Sequence, residues 1–272
     1  MTWRLALLAL AAIAPSGCTG ETTSAPDGGA PTIVSLNPCT DAILAEVTDP
    51  SQLLALSHYS HDPKATSMDL TMARRFAVTG GTVEEVLALD PDIVVGSTYM
   101  PVATRTALGR LGIRIEAVGV TNTVQDSRDQ IKQLAEATGH PERGAALIQR
   151  IDTALANAAS DTKPLTAVVW QQGGIVPGEG ALISDLLRRT GFTSHSAARG
   201  LGQADYLPLE AMLADPPDVI LTAGSGRAQQ HAALSALGQT YRAEFDSSLL
   251  YCGGPTIAKA AERLAAIRED ME

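Results

Sequence analysis

Val83-Glu84-Glu85-Val86-Leu87-Ala88-Leu89-Asp90-Pro91-Asp92-Ile93-Val94-Val95-Gly96 returns later in the chain as Leu209-Glu210-Ala211-Met212-Leu213-Ala214-Asp215-Pro216-Pro217-Asp218-Val219-Ile220-Leu221. Each copy reads as a short helix, a proline-marked turn and an aliphatic run suited to a buried strand. In both, a glutamate precedes the strand-opening aspartate by eight positions, Glu84 before Asp92 and Glu210 before Asp218. A single unit of this kind is ordinary helix-turn-strand grammar. Two in register, far apart in the chain, predict a pair of related lobes rather than a short-period solenoid.

The flanking sequence extends the same alternation. Thr32 to Leu36 and Leu53 to Leu56 read as strands around a helix from Thr40 to Val47, and Ile113 to Val118 follows a helix spanning Ala103 to Leu111. The second half offers Val168 to Trp170, a helix from Leu182 to Arg189, Val219 to Leu221, and Leu249 to Tyr251 as a last strand. Alternating strands and helices predict α/β architecture with parallel sheets. Between the halves, Leu147, Ile148, Ile151, Ala154, Leu155 and Ala158 form one stripe of a helix opened by Pro141-Glu142. The expected layout is therefore two Rossmann-like α/β lobes, residues 32–140 and 161–272, joined by a long backbone helix over 141–160.

Composition limits the partners. The 272 residues carry 30 Asp+Glu against 20 Lys+Arg, a net charge of −10, which would repel a phosphate backbone and excludes nucleic acid as a partner. Three cysteines are too few for a disulfide-built miniprotein.

Before residue 32 the chain reads as targeting sequence. Met1 to Arg4 carry positive charge, and Leu5 to Ala14 form an uncharged apolar run. Ten helical residues reach only about 15 Å, half of a roughly 30 Å hydrocarbon core, so the run reads as a signal-peptide h-region rather than a membrane span. Cleavage after Ala12-Ile13-Ala14 would place Pro15 just past the cut, where its ring hinders an extended substrate. Pro15-Ser16-Gly17-Cys18 instead resembles a bacterial lipobox, with Pro15 standing where leucine is usual. Residues 1–18 are thus expected to be a signal peptide with lipobox, Cys18 the lipidated anchor, and residues 19–31, small, polar and rich in Pro and Gly, a flexible tether.

Taken in order, Ile33 to Pro38, Leu54 to Pro63, the Gly80-Gly81 turn, Val83 to Val95, Leu108 to Ile113 and Leu209 to Ile220 resemble one known family. It is the family of periplasmic substrate-binding proteins with a helical backbone, class III, which serve ABC importers of vitamin B12, ferric siderophores and haem. The resemblance implies an extracytoplasmic, monomeric receptor with no cofactor of its own and no catalysis. Such a receptor captures a small-molecule metal chelate, a corrinoid first and a ferric siderophore or haem next, and delivers it to a permease dimer. It also implies that Glu84 and Glu210 dock onto permease arginines. A carboxylate near a helix start is favoured there and offers arginine a bidentate target. Glu85 has no acidic counterpart, because Ala211 stands at its place in the second copy.

In two-lobed α/β proteins, ligands sit at the carboxyl ends of the strands. On the first lobe that rule selects Asn37 and Cys39, then His58, Tyr59 and His61, then Tyr99 and Met100. On the second it selects Trp170, Gln171, Tyr206, Ser225 and Cys252. With few aromatics in the chain, the rings of Tyr59, Tyr99, Trp170, Tyr206 and Tyr251 near strand exits suit a flat macrocycle or chelate. His58 and His61 read as metal ligands, as polar contacts to a chelate, or as plain turn residues. A receptor for free zinc or manganese ions would need further converging donors, and His140, His195 and His231 supply no matching cluster.

Once Cys18 is assigned to the anchor, Cys39 and Cys252 remain, either as a disulfide across the two lobes or as two thiols facing the ligand. A thiol at the helix start Cys39-Thr40-Asp41 also keeps open a secreted hydrolase with Cys39 as nucleophile and His58 or His61 as base. Neither a Gly-x-Ser-x-Gly elbow nor a His-Glu-x-x-His motif accompanies it, and Gly173-Gly174 and Gly253-Gly254 form no phosphate loop.

Overall fold

Strands buried on both faces form the centre of each half of the protein. A computed structural model describes residues 29–271; the signal segment, Cys18 and most of the expected tether lie outside the described residues. The first sheet is wholly parallel, in the order β3-β2-β1-β4-β5. Its strands are β1 (Ile33–Ser35), β2 (Leu53–Ser57), β3 (Val78–Thr79), β4 (Ile93–Ser97) and β5 (Arg114–Val118), connected through α1 (Pro38–Val47), α2 (Leu70–Ala73), α3 (Val83–Leu89) and α4 (Val102–Arg110). Two longer helices follow, α5 (Val124–Ala137) and α6 (Pro141–Ala158).

The second half contains β6 (Leu165–Gln171), β7 (Ile175–Val176), α7 (Leu182–Arg189), β8 (Phe192–Ser194), α8 (His195–Ala198) and β9 (Asp205–Tyr206). It continues through α9 (Leu209–Ala214), β10 (Val219–Ala223), β11 (Tyr241–Glu244) and α10 (Thr256–Glu269). Its main sheet is parallel, in the order β11-β10-β6-β8, and β7 and β9 form a small antiparallel ribbon. This is the expected architecture of two α/β lobes joined by a long backbone helix.

One expected element differs. Leu249 closes a 3-10 turn, Ser247–Leu249, and is not part of a strand with Leu250 and Tyr251; the last strand is Tyr241–Glu244. That strand lies at the sheet edge, where only Ala243 is buried, so it lacks the apolar run that marks a central strand.

The duplicated segment occupies equivalent places in both halves. Thr32 donates from its backbone N–H and its hydroxyl to Asp92 Oδ2 at 2.7 and 2.8 Å, and Asp92 N–H donates back to Thr32 Oγ1 at 3.1 Å. Thr166 and Asp218 repeat this clasp at 2.7, 2.8 and 2.8 Å. In each case it fastens the opening of a lobe's first strand to the neighbouring strand that the repeated motif leads into. Charged acceptors make such bonds stronger than neutral ones, and the Thr32 amide and hydroxyl hold the Asp92 carboxyl below its usual pKa.

The halves do not have separate cores. One continuous apolar cluster includes Ile33 and Ile93 from the first sheet, Val169 and Leu221 from the second, and Leu147, Ile151 and Leu264 from the helices between them. Helix α6 packs against α5 and α10, with Leu147, Ile151, Leu155 and Ala158 buried. The outer faces of the sheets have smaller clusters, centred on Val34, Val86 and Val94 in one lobe and on Val168, Trp170 and Met212 in the other. A shared core opposes large rotation of one lobe against the other, because bending would expose close-packed apolar surface.

Candidate functional site

Both main sheets reverse their direction of winding beside their first strand, between β1 and β4 in one and between β6 and β10 in the other. A crevice opens at the carboxyl ends of strands at such a point. The two carboxyl edges meet directly. Cys39, just past β1, is bonded to Cys252, with the Cα atoms 5.0 Å apart and 213 residues between them in sequence. Next to the bond, the Tyr251 hydroxyl donates to Oε1 of Gln171, the last residue of β6, at 2.7 Å. Burial raises the pKa of this phenol. The disulfide settles the alternatives left open for the cysteines. It consumes both thiols, and with them the nucleophile that a hydrolase at Cys39 would require.

The chain beyond the bond lies tight against the first lobe. Gly254 N–H donates to Ser127 Oγ of α5 at 2.7 Å. A Cβ on Gly254 would stand 2.6 Å from Ile43 Cγ1 of α1, and one on Gly253 would stand 2.7 Å from Ser127 Oγ. Glycine is needed here for close approach, and Gly254 also has φ +67°. A second inter-lobe bond runs from Val124 N–H to Asp185 Oδ2 of α7 at 3.0 Å. Burial works to raise the Asp185 pKa, but the Val124 amide and Arg189 outweigh it and hold the carboxylate ionised.

Asn37 caps α1, its side-chain oxygen accepting from Cys39 N–H at 3.0 Å, ahead of Pro38 at the first helical position. The His58–His61 turn follows β2 directly. His58 and Tyr59 are exposed and in contact, with ring centroids 4.1 Å apart. His61 turns inward, and its Nε2 pairs with Ala73 O at 3.1 Å. Tyr99 is 78% exposed beyond β4, whereas Met100 packs into the outer cluster of the first lobe over Gly96, which leaves it room by having no side chain.

On the second lobe, Trp170 is wholly buried, and its indole N–H donates to Leu207 O at 3.1 Å. The expected ring at this exit therefore belongs to the core. Tyr206 is 61% exposed, on β9, and Ser225 is exposed beyond β10. Ser225 borders an open pocket of about 580 Å³ at the exits of β10 and β11, together with Glu244, Asp246 and Arg263.

Two residues of this region, Asp41 and Ser60, have no role in the sequence reading, whereas Tyr251 counts there among the aromatic rings near strand exits. Tyr251 is 62% exposed beside the disulfide. Ser60 is the buried residue of the His58–His61 turn, and Asp41 is buried beneath it. Only an acidic residue on an otherwise buried helical face marked Asp41 in the sequence. Among the described residues no group of three or more His, Cys, Asp or Glu side chains converges to hold a metal ion.

Glu84 and Glu210 each stand second in their helix, α3 and α9, and both are exposed. Neither has a side-chain hydrogen bond or ion pair among the described residues. Glu85 differs, because it accepts from the Thr79 hydroxyl at 2.9 Å and that bond lowers its pKa.

Two parallel α/β lobes around a shared helical layer, with their strand exits opposed, define the two-lobed binding-protein class. The chain belongs to the periplasmic binding protein family, whose model matches residues 33–244. That membership places it among extracytoplasmic binding proteins, and no helix among the described residues is long and apolar enough to cross a membrane. A cobalamin-binding protein of Halobacterium salinarum is 24% identical over 218 residues, which are 75% of this chain and 57% of that protein. The chain thus spans little more than half the length of the curated relatives it matches. Among solved structures, the apo form of the periplasmic haem-binding protein RhuT from Roseiflexus sp. RS-1 superposes with a TM-score of 0.70 at 20% identity, covering 89% of this chain and 99% of that one. The periplasmic vitamin B12-binding protein BtuF of Vibrio cholerae gives 0.68 at 21%, covering 89% and 97%.

Proposed function

We propose that this chain is the solute receptor of an ABC importer and captures a metal chelate between its lobes, a corrinoid first and a ferric siderophore or haem next. The observation that carries the reading is the pair of carboxyl edges held face to face by Cys39–Cys252, with exposed tyrosines beyond the strands of both lobes, Tyr59 and Tyr99 on one and Tyr206 and Tyr251 on the other. Aromatic faces and edges suit a flat conjugated ligand. The cobalamin-binding relative and the haem- and B12-binding structural neighbours support the same ligand class. A free zinc or manganese ion would need converging donors, which the described residues do not supply.

In this reading His58 is a polar contact to the chelate and Ser225 a contact on the opposite lobe, while Trp170, Met100 and Asn37 support the walls. Glu84 and Glu210, unpaired at matching helix positions, dock onto permease arginines. Cys18 carries a lipid that keeps the receptor at the membrane, and the protein works as a monomer without catalysis. Calorimetric titration with cyanocobalamin, haemin and a ferric hydroxamate tests the reading. One-to-one binding of one of them with a dissociation constant below about 1 μM is expected, the scale of a specific complex. Heats indistinguishable from dilution for all three at two temperatures would refute it. Cys18→Ala should move the protein from the membrane to the soluble fraction, and persistence at the membrane would remove the anchor from the proposal.

A further inference from the structure

Asp41 is wholly buried in the first turn of α1, two residues past the inter-lobe disulfide. One of its carboxyl oxygens does two things. Oδ2 accepts from Ser57 N–H at 3.0 Å and from Ser60 Oγ at 2.6 Å, bridging the end of β2 to the middle of the His58–His61 turn. The other oxygen, Oδ1, is buried without a hydrogen-bond partner.

A carboxyl in that position weakens the fold, since burial opposes its charge and an unpartnered polar atom loses its hydration without return. An apolar side chain would fill the same space without that cost. The carboxyl does what an apolar residue cannot: it presents one acceptor to a main-chain amide and a hydroxyl on either side of two exposed rings. At the far end of the turn, His61 Nε2 pairs with Ala73 O. His58 and Tyr59 are therefore carried on a four-residue turn tied at both ends. The ties lie on the buried side and the rings on the exposed side.

We propose that Asp41 is the positioning residue of the ligand cleft, fixing the His58–His61 turn so that the His58 and Tyr59 rings stand in place before ligand arrives. The role rests on the reading of this edge as the ligand site. A turn released from Asp41 would have to order two ring side chains on binding, and that entropy would come out of the affinity.

The test uses the purified full chain in detergent, with cyanocobalamin and haemin as probes, and hydrogen exchange of the 57–61 backbone as a second readout. Asp41→Ala should exchange faster over 57–61 and bind the probe about tenfold to a hundredfold more weakly, the cost of ordering two freed side chains. Asp41→Asn keeps an acceptor oxygen for Ser57 and Ser60 and should restore affinity to within about threefold of wild type, a few tenths of a decade beyond measurement error. Ser60→Ala, which leaves the buried carboxyl in place, serves if Asp41→Ala does not fold, and should weaken binding by about threefold to tenfold with faster exchange, one hydrogen bond being lost.

Wild-type affinity in Asp41→Ala despite faster exchange, or unchanged exchange in both Asp41→Ala and Ser60→Ala, would overturn the proposal. A wild-type chain that binds neither probe would overturn the ligand reading itself, and the positioning role with it, whatever the exchange shows.

Discussion

The Asp41 carboxyl makes the stability of this protein depend on pH in an unusual direction. Burial pushes its pKa from the ordinary 3.8 up to about 7, against the pull of the neighbouring Ser35 hydroxyl and of the Ser60 hydroxyl and Ser57 amide that donate to it. Between pH 4 and 7 the folded state then holds a proton that the unfolded state has released. Stability rises with pH only where the unfolded state binds more protons, so here this group's contribution falls as pH rises and levels off above about pH 7. A displacement from 3.8 to about 7 corresponds to ~4 kcal/mol at most. About 2 to 3 kcal/mol of that falls between pH 5 and pH 8.

Asp41→Asn removes the titration while retaining an acceptor for Ser57 and Ser60. Its amide nitrogen takes the place of the unpartnered oxygen at a cost of about 1–3 kcal/mol that does not vary with pH. The comparison across pH therefore isolates the carboxyl. Urea unfolding followed by circular dichroism at pH 5, 6, 7, 8 and 9 should show the variant gaining on wild type by about 2 to 3 kcal/mol from pH 5 to pH 8, with no further gain at pH 9. A variant-to-wild-type difference that stays constant across this range would refute the reasoning, since it would mean that Asp41 titrates alike in the folded and unfolded chain.

Three further perturbations address the seam and the duplicated helices. Cys39→Ser with Cys252→Ser removes a cross-link spanning 213 residues, which the loop-entropy relation values at ~5 kcal/mol as a ceiling; the double variant should lose several kcal/mol in urea unfolding, and an unchanged midpoint would show that the bond constrains little in the unfolded chain. Gly254→Ala places a Cβ 2.6 Å from Ile43 Cγ1 at a positive φ and should destabilise by about 1–3 kcal/mol. A melting temperature within 1 °C of wild type, on the order of experimental scatter, would contradict the tight seam. Glu84→Arg with Glu210→Arg should abolish uptake in cells while chelate affinity of the purified protein stays within about twofold, because neither side chain bonds to the fold; lost affinity would sink the docking role.

The duplicated helix-turn-strand was legible because its constraints are local. A glutamate in a helix's first turn, a proline turn and an aliphatic strand each leave a mark in a few consecutive residues. The clasps that fasten those strands were not, because Thr32 and Thr166 lie 60 and 52 residues from their aspartates. The cysteine pairing was open for the same reason, as sequence separation says nothing of a 5.0 Å Cα distance. Trp170 was misplaced by a different ambiguity. In a parallel strand covered on both faces, alternation does not tell one side from the other, and Ala167 to Trp170 are all buried. Strand Tyr241–Glu244 hid in its polarity, as edge strands do.

A shared core, a covalent bond and a glycine-tight seam leave the two lobes little freedom to close on a ligand. Receptors that bind by large hinge rotation gain selectivity from contacts completed only in the closed state. On the proposed function, a chain built like this one would have to hold most of its selectivity in the open structure, in the residues that its strand exits already present. That places weight on small devices such as the Asp41 tie, which order exposed rings without moving a lobe. It also shifts the problem of release. On the proposed function, lobes that cannot swing apart would release ligand where loops at the exits yield, and one such element is the turn that Asp41 Oδ2 and His61 Nε2 tie to the fold.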